Sequence, residues 1–231
     1  FNLETIVMPV ILSIISAKRP VFLAGTGVSI PSTENELINL AELFNVPVVT
    51  AWQHDVFPNS HRLFGGRSGT IGTRAGNFVV QNSDLVVVLG SRLNIRQISY
   101  NYKSFARNAK KIWIDIDEAE LNKPFIEADI KLKADLREVL PQLISIGQGK
   151  ELKKNSEWVD WCMSINKKYT PKKEDYPKSD HAINSYHFID ELFLNLKEKD
   201  IVVCANATAT IVPHQIGKLK DGMRLISNSG S

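Results

Sequence analysis

Residues 21–27, Val-Phe-Leu-Ala-Gly-Thr-Gly, are a short apolar run that ends in a glycine turn. The run is continuously apolar rather than alternating, which is typical of a strand buried on both faces of a parallel sheet. Glycine lets the chain turn sharply and lets another backbone approach closely. This stretch therefore predicts a buried strand with a tight turn at its carboxyl end.

The same pattern recurs along the first two thirds of the chain. Strands are predicted at Pro47–Thr50, Leu85–Leu89, Ile112–Ile116 and Ile130–Leu132. Helical periodicity is found over Leu3–Ala17, from Pro31 and Ser32 to Phe44, over Arg74–Gln81 and over Ala134–Ile146, and a glycine-rich loop is predicted at Gly65–Thr73. Apolar strands that alternate with helices predict an α/β fold with a doubly wound, Rossmann-like parallel sheet. We assign this domain to residues 1–147.

The pattern changes and then restarts in the last third of the chain. Residues 148–180 are predicted to form a polar helix over Glu151–Tyr169 and a linker over Thr170–Asp180. A helix over Ile183–Leu196 and a strand over Ile201–Cys204 follow. A complete α/β domain needs roughly 100 residues. Residues 181–231 therefore predict a second, truncated α/β domain.

Composition excludes several classes of protein. The net charge of +3 and the scattered basic residues give no nucleic-acid footprint. Cys162 and Cys204 form no CxxC pair, so a structural zinc site is not expected, and two isolated cysteines are typical of the reducing cytoplasm. No apolar run reaches the roughly 18 residues that cross a bilayer. We expect a cytoplasmic globular protein that binds neither nucleic acid nor membrane.

The two ends of the chain indicate an internal piece of a longer protein. The sequence starts at Phe1 rather than at methionine, and it stops at Ser231 shortly after a predicted strand. We therefore expect further domains in the intact protein.

Chemistry-bearing residues follow four of the predicted strands. In an open parallel sheet, ligands bind beyond the carboxyl ends of the strands. Glycines and helix N-termini there favour phosphate, and carboxylates accept hydrogen bonds from ribose hydroxyls. The residues at these ends are Gly25, Thr26 and Gly27, then Thr50 and Ala51, then Gly90, Ser91 and Arg92, then Asp115, Ile116 and Asp117. Structural turns and helix caps would use the same residue types, so both interpretations stay open.

Ordered motifs make the chain similar to a known family. Residues 18–27, 45–50, 83–96 and 114–123 resemble, in order and at family spacing, the central domain of thiamine-diphosphate-dependent enzymes of the acetolactate synthase, pyruvate oxidase and 2-keto acid decarboxylase type. Segments around Asp129 and Asp135 also match. The resemblance implies a three-domain protein with this chain covering the middle.

The resemblance implies where thiamine diphosphate would be bound. Residues 201–231 resemble the opening of the diphosphate-binding domain, in which Asn206, Ala207 and Thr208 occupy the loop that contacts the diphosphate. The Mg²⁺-binding motif and the glutamate that activates the cofactor are not in this chain. No catalytic residue and no metal ligand is therefore assigned here, and His214 is expected to be a packing residue. The piece alone is expected to be inactive.

The resemblance also implies a possible nucleotide in the central domain, where synthases of the family bind FAD. The matching positions not yet named are Gly66, Arg67, Gly69, Gly72, Asn94, Arg96 and Asp129. The sequence departs from the flavin-binding pattern at five positions: Arg67 and Thr70 replace its methionines, Ile71 replaces its histidine, and Asn94 and Ile95 replace its aspartates. FAD, another adenine nucleotide and an empty pocket are three open alternatives.

The function expected from the resemblance is carbon–carbon bond chemistry on a small 2-keto acid, with thiamine diphosphate and Mg²⁺ in a homodimer or homotetramer. The alternative is a non-catalytic module of such an enzyme, either binding a nucleotide or serving as a scaffold. Fold alone does not identify the substrate.

Overall fold

The computed structural model describes residues 3–51, 55–150, 155–220 and 222–227. These residues form a six-stranded parallel sheet with helices on both faces, followed by a two-stranded parallel sheet. The strands are β1 Pro20–Ala24, β2 Val48–Ala51, β3 Phe64–Ser68, β4 Leu85–Leu89, β5 Lys110–Asp115, β6 Ile130–Lys133, β7 Ile201–Cys204 and β8 Arg224–Ser227. The predicted α/β class with a parallel sheet is confirmed.

Helices follow most of the strands. They are α1 Leu3–Ser16, α2 Glu34–Phe44, α3 Arg74–Asn82, α4 Ile95–Ile98, α5 Glu118–Leu121, α6 Leu136–Gln148, α7 Ser156–Tyr169, α8 Ser185–Asn195 and α9 Thr208–Ile216. Two single 3₁₀ turns lie at Tyr102–Ser104 and Lys173–Asp175. The second of these turns interrupts the predicted linker.

The large sheet is buried on both faces because its central strands are apolar at every position. All five residues of β1 and all five of β4 are buried. Successive side chains point to opposite faces, so Phe22 packs in a cluster with α1, α2 and α6. Leu23 packs in a second cluster that includes Trp158 and Cys162 of α7. Burial also raises the pKa of the Cys162 thiol.

The prediction of a loop at Gly65–Thr73 is wrong for residues 65–68, which belong to the edge strand β3. β3 pairs with β2 along one side, and the register shifts between Val48 and Val49. An edge strand tolerates glycines and irregular pairing better than a central one. Gly66 sits there with φ of +108° and packs against Gly76 of α3. The two glycines of this strand interrupt the apolar pattern from which a strand is predicted.

The predicted start of the second helix at Pro31 and Ser32 is also wrong. Ser32 has φ of +60°, in the left-handed region, and α2 begins only at Glu34. The buried stripe of this helix is nevertheless the one expected from its periodicity, Leu37, Leu40, Ala41 and Phe44. The predicted start of the polar helix at Glu151 lies outside the described residues, and its described part begins at Ser156.

The C-terminal strands form a smaller unit with its own core. α8 and α9 pack on one face of β7 and β8 through Phe193, Val212 and Leu225. On the other face, Ile201 and Val203 are 63% and 72% exposed. Parallel strands are normally covered on both faces. Among the described residues, this small sheet therefore has one face uncovered.

The described residues contain neither a membrane-spanning helix nor a cluster of metal-ligand side chains. Within the described ranges, no helix has both the length and the apolar character needed to cross a membrane. No three histidine, cysteine, aspartate or glutamate side chains among those residues are grouped as metal ligands would be.

Candidate functional site at the carboxyl edge of the sheet

The strand order β3-β2-β1-β4-β5-β6 places the topological switch point between β1 and β4. Successive connections leave β1 and β4 in opposite directions, which opens a crevice at their carboxyl ends. Ala24, the last residue of β1, pairs with Leu89, the last residue of β4. The glycine turn after β1 therefore lies beside Gly90, and the end of β5 lies on the far side of β4. The expected convergence of three strand ends at one edge is confirmed.

The glycines after β1 are required by close backbone packing. Gly25 N donates to Leu89 O at 3.0 Å, and Gly27 N donates to Gly90 O at 2.9 Å. A Cβ added at Gly25 would lie 2.4 Å from Gly90 O, and one at Gly27 would lie 2.6 Å from Gly90 Cα. Thr26, between them, is exposed. These two amide hydrogens are therefore already paired with the neighbouring strand end.

The end of β5 presents two carboxylates and an apolar side chain. Asp115 is buried, and this desolvation raises the pKa of its carboxyl group even though Oδ1 accepts a hydrogen bond from Asp117 N at 3.0 Å. Asp117 accepts from Ala119 N at 2.8 Å and so caps α5. Ile116 is 65% exposed between them. It lies after the last residue of β5 rather than inside the strand.

Arg92 is held by an ion pair. Its Nε lies 2.8 Å from Glu120 Oε1, and Lys123 contacts the other oxygen of the same carboxylate. Burial acts to raise the pKa of Glu120, but the hydrogen bonds from Lys123 and Arg92 outweigh it and lower the pKa. Lys123 Nζ also donates to Arg92 O at 2.8 Å. This arrangement matches the structural alternative for Arg92, pairing with a carboxylate.

The loop after β4 contains a second polar cluster. Asn94 caps α4 by accepting a hydrogen bond from Arg96 N at 3.0 Å. Ser91 Oγ donates to Gln97 Oε1 at 2.9 Å. Gln97 is buried, and its Nε2 has no hydrogen-bond partner among the described residues. Sequence reasoning did not single out Gln97, because a glutamine in a short helix gives no pattern to recognise.

The ends of β2 and β3 lie further along the same edge. Thr50 and Ala51 are buried, and Ser68 Oγ donates to Thr50 O at 3.4 Å. The loop that contains Gly69 and Gly72 leads into α3, and Thr70 N donates to Arg96 O at 2.7 Å. This contact joins the loop after β3 to the loop after β4.

Arg67 is a buried cation at this edge. Its side chain is 2% exposed, and Nη1 donates to Thr50 Oγ1 at 3.3 Å. Its guanidinium carbon lies 5.6 Å from the centre of the Phe64 ring. Burial lowers the pKa of Arg67 to about 10, and the negative charge of Asp55 only partly opposes this.

Asp129 does not join the other predicted site residues. It precedes β6 and accepts a hydrogen bond from Lys111 N at 2.7 Å, at the start of β5. Its own backbone N donates to Lys111 O at 2.9 Å. Both contacts lie at the amino edge of the sheet, opposite the switch point. Asp129 therefore has a structural role in joining β5 to β6 and is left out of the candidate site.

The three C-terminal site residues lie at the carboxyl end of β7. Asn206, Ala207 and Thr208 are exposed, and α9 begins at Thr208. Ala207 has φ of +53° and ψ of −135°, which turns the chain abruptly from strand to helix. Their neighbour on α9, His214, is buried, and its Nδ1 lies 2.7 Å from Thr210 O. These observations agree with a packing role for His214.

Contacts between the two units come from side-chain amides and from the Asp55 carboxylate, which accepts from Arg224 Nε at 3.0 Å and from Leu225 N at 2.7 Å. Asn59 Nδ2 donates to Gly217 O at 2.6 Å, and Asn59 Oδ1 accepts from Leu219 N at 3.1 Å. Gln215 Nε2 donates to Ile71 O at 3.1 Å. The last contact ties α9 to the loop after β3.

A family model describes most of the central unit. The model for the central domain of thiamine pyrophosphate enzymes matches residues 9–143, more than half of the chain. The chain belongs to the thiamine pyrophosphate enzyme family. The predicted family is therefore confirmed, and the matched range contains the whole switch-point crevice.

Relatives of this thiamine pyrophosphate enzyme chain are acetolactate synthase large subunits. A probable large subunit from Methanocaldococcus jannaschii is 32% identical over 206 residues, which is 89% of this chain and 33% of that protein. One from Methanococcus aeolicus is 38% identical over 169 residues, 68% of this chain and 28% of the relative. The isozyme 1 large subunit of Escherichia coli is 30% identical over 202 residues, which is 87% of this chain and 33% of that protein. The chain spans about a third of the length of these relatives.

Glu120 and Lys123 were also missed by the sequence interpretation. Both lie in the 114–123 segment that resembles the family, and Glu120 lies three residues before Lys123. A carboxylate and a lysine three residues apart are a recognisable pair, although Lys123 lies just beyond the end of α5. The contact of Glu120 with Arg92, 28 residues away, depends on the sheet order.

Proposed function

We propose that the protein is an enzyme that uses thiamine diphosphate to decarboxylate or ligate 2-keto acids. In this proposal, the chain provides the central domain and the first part of the diphosphate-binding domain. The observation that carries it is the similarity to acetolactate synthase large subunits over 206 residues, which must include residues outside the matched central domain. Because the chain spans about a third of these relatives, the glutamate and the Mg²⁺ ligands of the active site are expected in other parts of the protein.

The start of α9 fits a diphosphate. The first amide hydrogens of a helix have no partner within the helix, and the helix dipole favours an anion there. Asn206 and Thr208 are exposed beside this helix start, and no carboxylate lies between Ala205 and Gln215 in the sequence. When bound, thiamine diphosphate supplies the carbanion stabilisation that decarboxylation of a 2-keto acid needs. The residues of this chain would bind and orient its diphosphate.

We also propose an adenine nucleotide, FAD included, as an occupant of the switch-point crevice. The features that support it are the carboxylates of Asp115 and Asp117, suited to ribose hydroxyls, and the exposed surface of Ile116. The glycine amides would contribute less than in a typical dinucleotide site, because Gly25 and Gly27 already donate to Leu89 and Gly90. Contacts with phosphate would come from Thr26 and Arg96.

A structural crevice is the alternative that two observations specifically favour. The amides of Gly25 and Gly27 are already paired, and Arg92 is held in an ion pair. In that alternative, the crevice is structural and the central domain is a scaffold that holds the catalytic domains together. A nucleotide-binding experiment separates these alternatives. Purified intact protein that stays colourless and gives no saturable signal with FAD or ADP would favour the scaffold.

The enzyme proposal is tested with the intact protein that contains this chain. Consumption of pyruvate and release of CO₂ should require both thiamine diphosphate and Mg²⁺. The Asn206→Asp variant places a negative charge beside the start of α9 and should raise the concentration of thiamine diphosphate needed for half-maximal activity by about tenfold. Asn108→Asp, an exposed residue before β5, carries the same charge change as a control and should behave like the unmodified protein.

Two outcomes would contradict the proposal. Folded protein that turns over no 2-keto acid with both cofactors present would remove the enzymatic function. Equal effects of the Asn206 and Asn108 variants would remove the assigned diphosphate contact but not the enzymatic function. We further propose a cytoplasmic homodimer or homotetramer, which light scattering of the intact protein would measure.

A further inference from the structure

Gln215 joins three elements at the boundary between the two units. Its Nε2 donates to Ile71 O at 3.1 Å, in the loop after β3, and its Oε1 accepts from the Tyr186 hydroxyl of α8 at 2.7 Å. A side-chain amide suits this position because it carries both a donor and an acceptor. One side chain of α9 is therefore attached to the central unit and to α8 at the same time.

The loop that accepts from Gln215 is itself held in place. The Asn77 side chain accepts from Gly69 N at 2.9 Å and donates to Gly69 O at 3.0 Å. Thr70 N donates to Arg96 O at 2.7 Å. These hydrogen bonds attach the loop to α3 and to α4, so the neighbouring Ile71 carbonyl is an acceptor in a fixed position.

Tyr186 is also fixed, at the start of α8. Its ring stacks on the Tyr176 ring of the linker, with the ring centres 3.6 Å apart and an angle of 10° between the planes. Its backbone N donates to Oδ1 of Asn184, the N-cap of the helix, at 3.0 Å. Because the ring is already ordered, the hydroxyl contacts Gln215 with little further loss of side-chain entropy.

The contacts of Gln215 set the rotation of α9 about its axis. Seven residues, nearly two helical turns, separate Thr208 from Gln215, so both lie on the same face of the helix. Pro213, inside the helix, has no amide hydrogen to donate to the preceding turn. Contacts from outside the helix therefore contribute more to its position, and a rotation of α9 would move Thr208 away from its present direction.

We propose that Gln215 and Tyr186 are positioning residues for the turn at residues 206–208, which they hold in the orientation that binds the diphosphate of thiamine diphosphate. Neither side chain contacts the cofactor. Gln215 acts through the backbone of α9, and Tyr186 acts through Gln215. This inference rests on the proposed function, and it adds the residues by which α8 and the central unit set the geometry of the cofactor-binding turn.

Titration calorimetry measures the affinity of the intact protein for thiamine diphosphate at saturating Mg²⁺. Gln215→Met keeps the length of the side chain and removes both hydrogen bonds, so it should weaken binding by about fivefold. Gln142→Met, at an exposed position of α6, makes the same chemical change as a control and should bind like the unmodified protein. Equal affinities of these two variants would overturn the inference.

A double-mutant cycle tests whether Tyr186 acts through Gln215. Tyr186→Phe removes one hydroxyl and keeps the ring stack, so it should fold normally and weaken binding of thiamine diphosphate by about threefold. In the Gln215→Met background, the same change should have no further effect, because the partner of the hydroxyl is already absent. Tyr100→Phe, at a side chain that is 82% exposed, is the control. The same threefold loss in both backgrounds would disprove the pairing.

Enzyme kinetics separate positioning from a general loss of structure. Gln215→Met should raise the concentration of thiamine diphosphate needed for half-maximal activity and leave kcat at saturating cofactor within about twofold of the unmodified value. A lower kcat with unchanged affinity in calorimetry would indicate a structural role only and would overturn the inference. If the unmodified protein binds no thiamine diphosphate, the proposed function itself fails. If it binds and the Gln215 variant matches its control, the function stands and only the positioning role is lost.

Discussion

The chain leaves β1 and β7 in two different ways, although both are short apolar strands that end in a turn. After β1, the amides of Gly25 and Gly27 donate to Leu89 and Gly90, and α2 begins only at Glu34. After β7, Ala207 takes a positive φ, and α9 begins at the next residue. β1 has a neighbouring strand on each side, so its loop packs against another loop. The comparison teaches that a glycine turn at a strand end can be structural, with its amides used by the neighbouring strand, while the residues at the start of α9 are left exposed.

The largest effect expected from this comparison is at Gly25. The Gly25→Ala variant would place Cβ 2.4 Å from Gly90 O and 2.7 Å from Ser91 Cβ, so the two loops must move apart. We expect a loss of about 3 kcal/mol in the free energy of unfolding, measured by urea denaturation. Gly149→Ala is the control, because its Cβ would lie 3.6 Å from Ile146 O, an ordinary contact. That variant should stay within about 0.5 kcal/mol of the unmodified protein. Similar losses in both variants would disprove the close packing.

A smaller effect of opposite sign is expected at Ala207. Its φ of +53° with ψ of −135° is unfavourable for any residue with a Cβ, so Ala207→Gly should stabilise the fold by about 1 kcal/mol. Ala209→Gly, inside α9, should instead destabilise it by about 0.5 kcal/mol, since glycine is a poor helix former. Thermal unfolding of the two variants measures the difference. If Ala207→Gly is the less stable of the two, the strand-to-helix turn is not strained as described.

The smallest effect concerns the end of β5 and depends on pH. Burial raises the pKa of Asp115 in the folded state above its ordinary value. The folded protein therefore holds this proton to higher pH than the unfolded chain, and stability falls as pH rises from the ordinary aspartate pKa through the folded-state value. Asp115→Asn should lack this fall, so its stability relative to the unmodified protein should increase from acid to neutral pH.

Asp135→Asn is the control for this prediction. Hydrogen bonding to Arg137 lowers the pKa of Asp135, so its contribution to stability is present at neutral pH and is lost as pH falls through that lowered value. This variant should lose stability relative to the unmodified protein between acid and neutral pH. Urea unfolding at several pH values gives both trends. Parallel trends in the two variants would contradict the assignment of Asp115.

Sequence patterns predicted the large sheet well because its strands are continuously apolar. β4 was predicted with its observed bounds, and the buried stripe of α2 was predicted residue by residue. β3 was missed because Gly65 and Gly66 remove the apolar pattern, and its pairing with one neighbour is what makes it a strand. An edge position is a property of the assembled sheet, which periodicity does not reveal.

The candidate site was predicted in part for the same reason. A strand order that puts β1 beside β4 and β4 beside β5 brings Gly25, Gly90 and Asp115 to one edge, as expected from the motif pattern. Asp129 was grouped with them because it lies near a matching motif, yet it precedes its strand and so lies at the opposite edge. The contacts of Arg92 with Glu120 and of Ser91 with Gln97 were not predicted, because they depend on side-chain directions.

The contact that Asn59 makes with the C-terminal unit requires an amide side chain. A peptide group offers a donor and an acceptor in fixed relative positions, and the Asn59 amide reproduces both towards Gly217 and Leu219. Aspartate lacks the donor, and serine is too short to reach two backbone atoms two residues apart. Substitution there by another residue should leave each unit folded and weaken their attachment, which the contacts of Asp55 and Gln215 would still maintain.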